Sequence, residues 1–191
     1  MNGIQRAKVC IVLVLVCASF HTQPETLAAP APVELYRLLL EAQLKTQAAD
    51  TKMIDCMTEC SELLSRHYQR TKKLPQSLAD FENIAVRTKL NGTKNPYFES
   101  ELLARELPAS TSHYVQFEVA ADYGLSRNGL DACAKHPPKS WIGLPGSITI
   151  VHNSENLFAV RGYGMDGKPI LNRTTNSAFY IFKECSESES D

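Results

Sequence analysis

The sequence lacks an excess of charge of either sign, since its 191 residues carry 20 Lys and Arg against 21 Asp and Glu. A formal net charge of −1 excludes the broad basic surface with which proteins bind nucleic acid. Aromatic residues make up 8% of the chain, with Trp141 the single tryptophan. The hydrophobic fraction of 43% is typical of a globular domain, which excludes both a disordered chain and a polytopic membrane protein.

Long apolar stretches are also missing. The apolar run at residues 9–16, extended by Cys17 and Ala18, is half the length of about 20 residues that crosses a bilayer. Basic residues precede this run, and cleavage after Ala18 or Ala28 follows small residues. The pattern predicts a signal peptide over residues 1–28 and export to the periplasm or the extracellular space. An uncleaved anchor and a lipid-modified Cys17 stay open as alternatives.

Cysteine is sparse once the predicted signal peptide is removed. Four cysteines then remain: Cys56, Cys60, Cys133 and Cys185. An even number in an exported chain predicts two disulfides, for which three pairings exist. The i, i+4 spacing of Cys56 and Cys60 puts both on one helix face, and our preferred hypothesis pairs them with Cys133 and Cys185 in either order. A redox pair or a metal site is the alternative, although the motif spacings of both are missing.

Gly and Pro are missing from residues 33–74, which follow Pro32, and apolar residues recur there at a helical period. This pattern predicts a helix over residues 33–70, about 57 Å long. A domain of this size has a radius of gyration of about 15 Å, so the helix should protrude or break once, most readily at residues 47–51. Its first half carries more leucines than one packed stripe needs, and these are the predicted partner contacts: Leu35, Leu38, Leu39, Leu40 and Leu44.

The later part of the chain loses the helical period and alternates instead. Short helices are predicted over residues 78–86 and 96–106, strands near 115–119, 147–152, 157–163 and 177–183, and an irregular segment over 121–145. Helices followed by strands predict an α+β fold. A long N-terminal amphipathic helix should pack on a roughly four-stranded antiparallel sheet, stapled by disulfides. One domain is expected over residues 29–185, with an acidic tail at 186–191.

Catalytic motifs are missing as well. The chain contains no P-loop, no Gly-x-Gly-x-x-Gly and no Gly-x-Ser-x-Gly elbow, and Asp166 alone is too little for a calcium site. We therefore expect no cofactor and no metal, and we favour a protein that is not an enzyme. The rival hypothesis is a small secreted hydrolase whose site is assembled in space from His113, His136 or His152 with Ser or Asp neighbours.

Two stretches resemble a known family. The long helix with Tyr68, leading into residues 73–78 (KLPQSL), resembles the helix-to-loop passage of type IV pilin-like proteins. Residues 163–168 (YGMDGK) are similar to the Gly-x-Asp-Gly hairpin of type II secretion pseudopilins. The resemblance implies a spine helix on a four-stranded antiparallel sheet stapled by disulfides. Residues 3–8 contain no prepilin peptidase motif, so the resemblance implies the fold more than the filament.

These observations predict an exported, non-enzymatic, pilin-like protein that acts by protein–protein contacts in a secretion, pilus or envelope-associated assembly. Its partner would be another protein or a second copy, bound through the N-terminal helix. Nucleic acid is not expected as a partner, and membrane contact only at the N-terminus. A second hypothesis is a secreted inhibitor or effector module that presents the 121–145 segment with Trp141. The sequons at Asn91 and Asn172 would accept glycans only in a eukaryotic secretory pathway.

Overall fold

The computed structural model describes residues 32–86 and 88–186. The predicted signal peptide and the last five residues of the predicted acidic tail lie outside the described residues. The chain divides into two compact units, Met1–Arg37 and Leu38–Asp191. In the first unit, the described residues 32–37 are the helical start of the first helix. All the other elements belong to the second unit.

The first helix, α1 (Pro32–Thr71), has 40 residues and confirms the predicted long helix. It is continuous, so the alternative of a break at residues 47–51 is wrong. Pro32 suits the first helical turn because its missing N–H needs no partner there. Lys72 follows the helix with a left-handed φ of 58°, and its N–H donates to the Tyr68 carbonyl at 2.7 Å. This is a common way for a helix to end.

Two short helices follow. The first, α2 (Leu78–Ala85), starts as predicted, because the Ser77 hydroxyl accepts from the Asp80 N–H and the Asp80 carboxylate accepts from the Gln76 N–H. The second, α3 (Glu101–Ala104), is much shorter than the predicted helix over residues 96–106. Asn95, which directly precedes the predicted helix, donates its side-chain amide to two distant carbonyl groups.

The sheet has four strands: β1 (Gln116–Ala121), β2 (Ser147–His152), β3 (Leu157–Gly162) and β4 (Tyr180–Glu184). Their spatial order equals their order in the chain. The prediction of an antiparallel sheet is wrong, because β1 pairs with β2 in parallel while the other two pairs are antiparallel. Two neighbouring parallel strands need a long crossover connection between them, and the 121–145 segment supplies it. The prediction that this segment is irregular is wrong, since it contains α4 (Arg127–Lys135) and a 3-10 turn (Lys139–Trp141).

The two faces of the sheet are covered by different elements. We call the side packed on α1 the helix face, and the side covered by α4 and the 3-10 turn the crossover face. Apolar side chains of the helix face join the buried stripe of α1 in one core: Phe117, Val119, Ile148, Ile150, Phe158 and Val160. On the crossover face, Val151 and Ala159 pack with Leu130, Ala134 and Trp141 in a second core. The fold is therefore α+β, as predicted, with three layers.

The predicted disulfides are not found among the described residues, where all four cysteines are free. Cys56 and Cys60 lie in the core of the helix face, whereas Cys133 packs in the core of the crossover face. The sheet therefore separates Cys133 from both helix cysteines. Cys185 lines the same cavity as Tyr68 and Leu74, towards the C-terminal end of α1. The predicted pairing of both helix cysteines with Cys133 and Cys185 is therefore not found.

Candidate functional site

Part of α1 exposes apolar side chains that the core does not use. Leu38, Leu40 and Leu44 are 40%, 46% and 57% exposed, and Leu39 is half-buried. We call these four residues the leucine surface. All of them precede Ala49, the first buried residue of α1. Leu35 belongs to the first unit and is half-buried there.

The leucine surface covers more than one side of α1. At 100° per residue, Leu38 and Leu39 continue the stripe that is buried further along the helix. Leu40 and Leu44 fall on the opposite side, one turn apart, where the later part of α1 carries the exposed Thr51 and Thr58. A single packed face needs only one stripe. The second pair of leucines is therefore apolar surface that the second unit leaves uncovered.

A second cluster lies on the crossover face, where four polar side chains form one line across the sheet. The strand register places Glu118 beside Thr149, Thr149 beside Arg161, and Arg161 beside Tyr180. We call these four residues the polar row. Thr149 Oγ1 lies 3.1 Å from Glu118 Oε2 and 3.2 Å from the hydroxyl of Tyr163. At the other end, the Tyr180 hydroxyl donates to the Asp131 carboxylate on α4.

Arg161 is the charged centre of the polar row. The residue is only 9% exposed, and its Nε has no hydrogen-bond partner. Its guanidinium carbon lies 4.6 Å from the centre of the Trp141 ring, a distance typical of a cation–π contact. Burial lowers the pKa of Arg161, while Tyr163, Glu118, Asp122 and Cys133 act in the opposite direction. Arginine remains charged at neutral pH despite such a shift.

Trp141 occupies a different position from the one that the inhibitor hypothesis needs. Its ring is buried on the crossover face, at 6% exposure, and does not stand at an exposed loop tip. The segment exposes the apolar side chains of Tyr123, Ile142 and Leu144, at 81%, 61% and 47%. Trp141 therefore belongs with Arg161 in the interior, and a partner approaching this segment would meet these three side chains first.

The histidines of the hydrolase hypothesis do not form a catalytic pair. His152 is fully buried at the end of β2, where its Nδ1 accepts from the Ser154 N–H at 3.0 Å and its Nε2 has no partner. His113 is exposed, and the centre of its ring lies 4.2 Å from that of Phe98. His136 is also exposed, directly after α4. Within the two described ranges, none of the three hydrogen-bonds to a hydroxyl, a thiol or a carboxylate of a neighbouring side chain.

Acid is expected to destabilise the fold through His152. Burial lowers the pKa of this imidazole below its usual 6.5. Just below pH 6.5, His152 is therefore protonated in the unfolded chain but still neutral in the native state, and protonation favours unfolding. The free energy of unfolding should therefore fall as the pH drops from 6.5 to 5, by at most about 1.4 kcal/mol per pH unit from this residue. His152→Asn retains an acceptor for the Ser154 N–H and should flatten that slope in urea titrations.

Substitution of the exposed His136 by asparagine provides the matched control for this measurement. It removes one imidazole from the chain without touching the buried end of β2, and the slope should stay as in the unmodified protein. An equal slope in the His152→Asn variant and in the unmodified protein would show that His152 does not carry the acid sensitivity.

Burial favours the protonated thiol at Cys56, Cys60 and Cys185. Burial raises the pKa of Cys56 to about 12, with a further contribution from Glu59, and raises the pKa of Cys60 as well. Burial also raises the pKa of Cys185, against the opposing effect of Lys183. Protonated thiols are poor nucleophiles and poor metal ligands. Over residues 32–86 and 88–186, no cluster of three or more His, Cys, Asp or Glu side chains could hold a metal ion.

The sequence interpretation missed the polar row, although a signal for it exists. Arg161 is the one polar residue of the strand at 157–162, and Thr149 lies between Ile148 and Ile150 in the strand at 147–152. A charged residue inside a buried strand needs a special environment, because an isolated charge is costly to bury. Which side chains surround it depends on strand register, and Glu118 joins the row only because β1 is parallel to β2.

No helix of the described chain has both the length and the apolar character to cross a membrane. No protein-family model matches the chain, and neither curated proteins nor solved structures contain a match to it.

Proposed function

We propose that this is an exported, pilin-like protein without catalytic activity, which acts by protein–protein contacts in a secretion, pilus or envelope-associated assembly. The observation that carries the proposal is the leucine surface. Exposed leucines on two sides of one helix are the pattern with which a helix enters an apolar groove or packs against partner helices. The partner is accordingly another protein that offers an apolar groove or helix.

The architecture agrees with the pilin-like part of the proposal in its main feature. A long helix, α1, packs on one face of a four-stranded sheet and extends N-terminally from its first buried residue, Ala49. The sheet departs from the family pattern, because its first strand is parallel to the second. The proposal therefore concerns a spine helix with a headgroup, and export through the predicted signal peptide.

The test replaces Leu40 and Leu44 together by glutamate. Each buried leucine contributes about 1.5–3 kcal/mol, so loss of the pair should weaken association by about 100-fold or more. The measurement is cross-linking in the native envelope or secretion fluid, followed by mass spectrometry of the cross-linked partners. Components of a secretion or pilus assembly should be cross-linked to the unmodified protein and lost from the variant.

The matched control is the double variant Thr51→Glu and Thr58→Glu. It adds the same two charges on the same side of α1, beyond the leucine surface, and should retain the cross-linked partners. Far-UV circular dichroism should be unchanged in both variants. Partners retained in the Leu40/Leu44 variant, or lost equally from the control, would contradict the proposal.

A further inference from the structure

Arg161 has an unused hydrogen-bond donor at Nε. A guanidinium has five N–H groups and no acceptor, and the described chain supplies Arg161 Nε with no partner. A buried donor without an acceptor costs about 1–3 kcal/mol, and a charged one costs more. An apolar side chain would fill the same space at no such cost. The position therefore carries a hydrogen-bonding capacity that the interior of the protein does not consume.

The surroundings of Arg161 hold this capacity in a fixed geometry. The guanidinium carbon lies 4.6 Å from the centre of the Trp141 ring, and this cation–π contact holds the group against the ring. Thr149 lies beside Arg161 in the strand register and is itself held between Glu118 and the Tyr163 hydroxyl. The hydroxyl of Thr149 is engaged in this way, so the guanidinium is the group of the polar row that can fix a ligand, as single polar groups do in small-molecule sites.

We propose that the polar row binds the carboxylate of a small organic acid, with Arg161 as its anchor. The two oxygens of a carboxylate match the two parallel N–H groups of a guanidinium. A singly charged ligand fits better than a phosphate dianion, because Glu118 is already in the row. Ile142 and Leu144, exposed next to Trp141 in the chain, offer apolar contact to the rest of the ligand. This site is independent of the leucine surface.

Trp141 makes the proposal directly testable, because it is the only tryptophan of the chain. The full-length protein is titrated with sodium butyrate while the tryptophan emission is recorded. A titration with sodium chloride at equal ionic strength is the control. Butyrate should give a saturable change in emission, whereas chloride should not. Inorganic phosphate should bind at least about 10-fold more weakly than butyrate. Butyrate should also raise the melting temperature measured by circular dichroism.

Three variants assign the binding to Arg161. Arg161→Met should abolish the saturable change in emission. Arg161→Lys should weaken the affinity for butyrate by at least about 10-fold, because an ammonium group lacks the two parallel N–H donors of a guanidinium. Arg127→Met is the matched control, since Arg127 lies on the same face over an aromatic ring, 5.4 Å from the centre of Phe182. That variant should bind butyrate as the unmodified protein does.

The proposal is overturned if the unmodified protein shows no saturable response to butyrate, a result that needs no variant to fold. Equal responses to butyrate and chloride, or binding by Arg161→Met at the original affinity, would also overturn it. If phosphate binds as tightly as butyrate, the proposed preference for a carboxylate is refuted. A loss of binding in Arg127→Met equal to that in Arg161→Met would show that general positive charge, and not the polar row, holds the acid.

Discussion

Replacement of Asn95 by alanine is expected to lower the free energy of unfolding by about 3–5 kcal/mol. The Asn95 amide is fully buried and donates to the carbonyls of Ser112 and Pro145, at 3.1 and 3.0 Å. Its side-chain oxygen accepts from the Tyr97 N–H at 3.2 Å. Each partner that loses its hydrogen bond in the interior costs about 1–3 kcal/mol, and the substitution leaves three such groups.

Asn95 has this effect because it joins three segments that are far apart in the chain. Its own loop, the approach to β1 at Ser112 and the turn before β2 at Pro145 all meet at one amide. Gly146 lies directly against the Asn95 side chain with a left-handed φ of 69°, so this turn also has no room for a Cβ atom. The amide therefore positions the starts of both parallel strands.

Urea denaturation followed by circular dichroism measures this prediction. The control is Asn91→Ala, because Asn91 is exposed in the preceding turn and its loss should change the free energy of unfolding by less than about 0.5 kcal/mol. A loss of less than about 1 kcal/mol for Asn95→Ala would show that the three backbone groups find other partners.

Substitution of Gly162 by alanine should lower the free energy of unfolding by about 1–3 kcal/mol. Gly162 ends β3 directly beneath α1, and an added Cβ would lie 2.6 Å from the sulfur of Met57. Met57 is fully buried, so its side chain cannot move into solvent to make room. Extra atoms in a packed core force side chains off their preferred rotamers, which is the origin of the cost.

A double-mutant cycle separates this contact from other effects of the new methyl group. With Met57 also replaced by alanine, the sulfur is gone and Gly162→Ala should cost less than about 0.5 kcal/mol. The difference between the costs in the two backgrounds is the interaction energy of the pair, and the expected value lies in the range known for contacting residues. Gly124→Ala is the control, because a Cβ there meets nothing closer than 3.5 Å. An equal cost of Gly162→Ala in both backgrounds would mean that α1 does not press on β3 at this position.

Local signals made α1 predictable. Forty residues without an interior Gly or Pro, with apolar side chains at a helical period, favour a helix at almost every position. The start of α2 was equally clear, because the Ser77 hydroxyl accepts from the N–H of Asp80, three residues further along the chain. Strands β2 and β3 also lie where alternation and turn residues predict them. In each case the interactions that decide the structure are near in sequence.

The direction of β1 was not predictable in this way. Whether β1 pairs in parallel depends on the path of the 121–145 segment, and its glycines and prolines favour an irregular loop. Ser126, which caps α4 by accepting from the Gly129 N–H, was the available sign of a helix there. Because α4 then covers the second face of the sheet, the same error concealed the separation of Cys133 from Cys56 and Cys60.

The sequence by itself determined the near-neutral charge, the long uninterrupted helix and the leucines that exceed one packed stripe. These follow from composition and from residue spacing along a single element, where geometry is set by the helical repeat. Only the tertiary structure decided the parallel pairing of β1, the free cysteines on two sides of a sheet, and the meeting of Arg161 with Trp141. Those features join residues from separate elements, and which side chains meet there is settled by strand register and by the layer that each face receives.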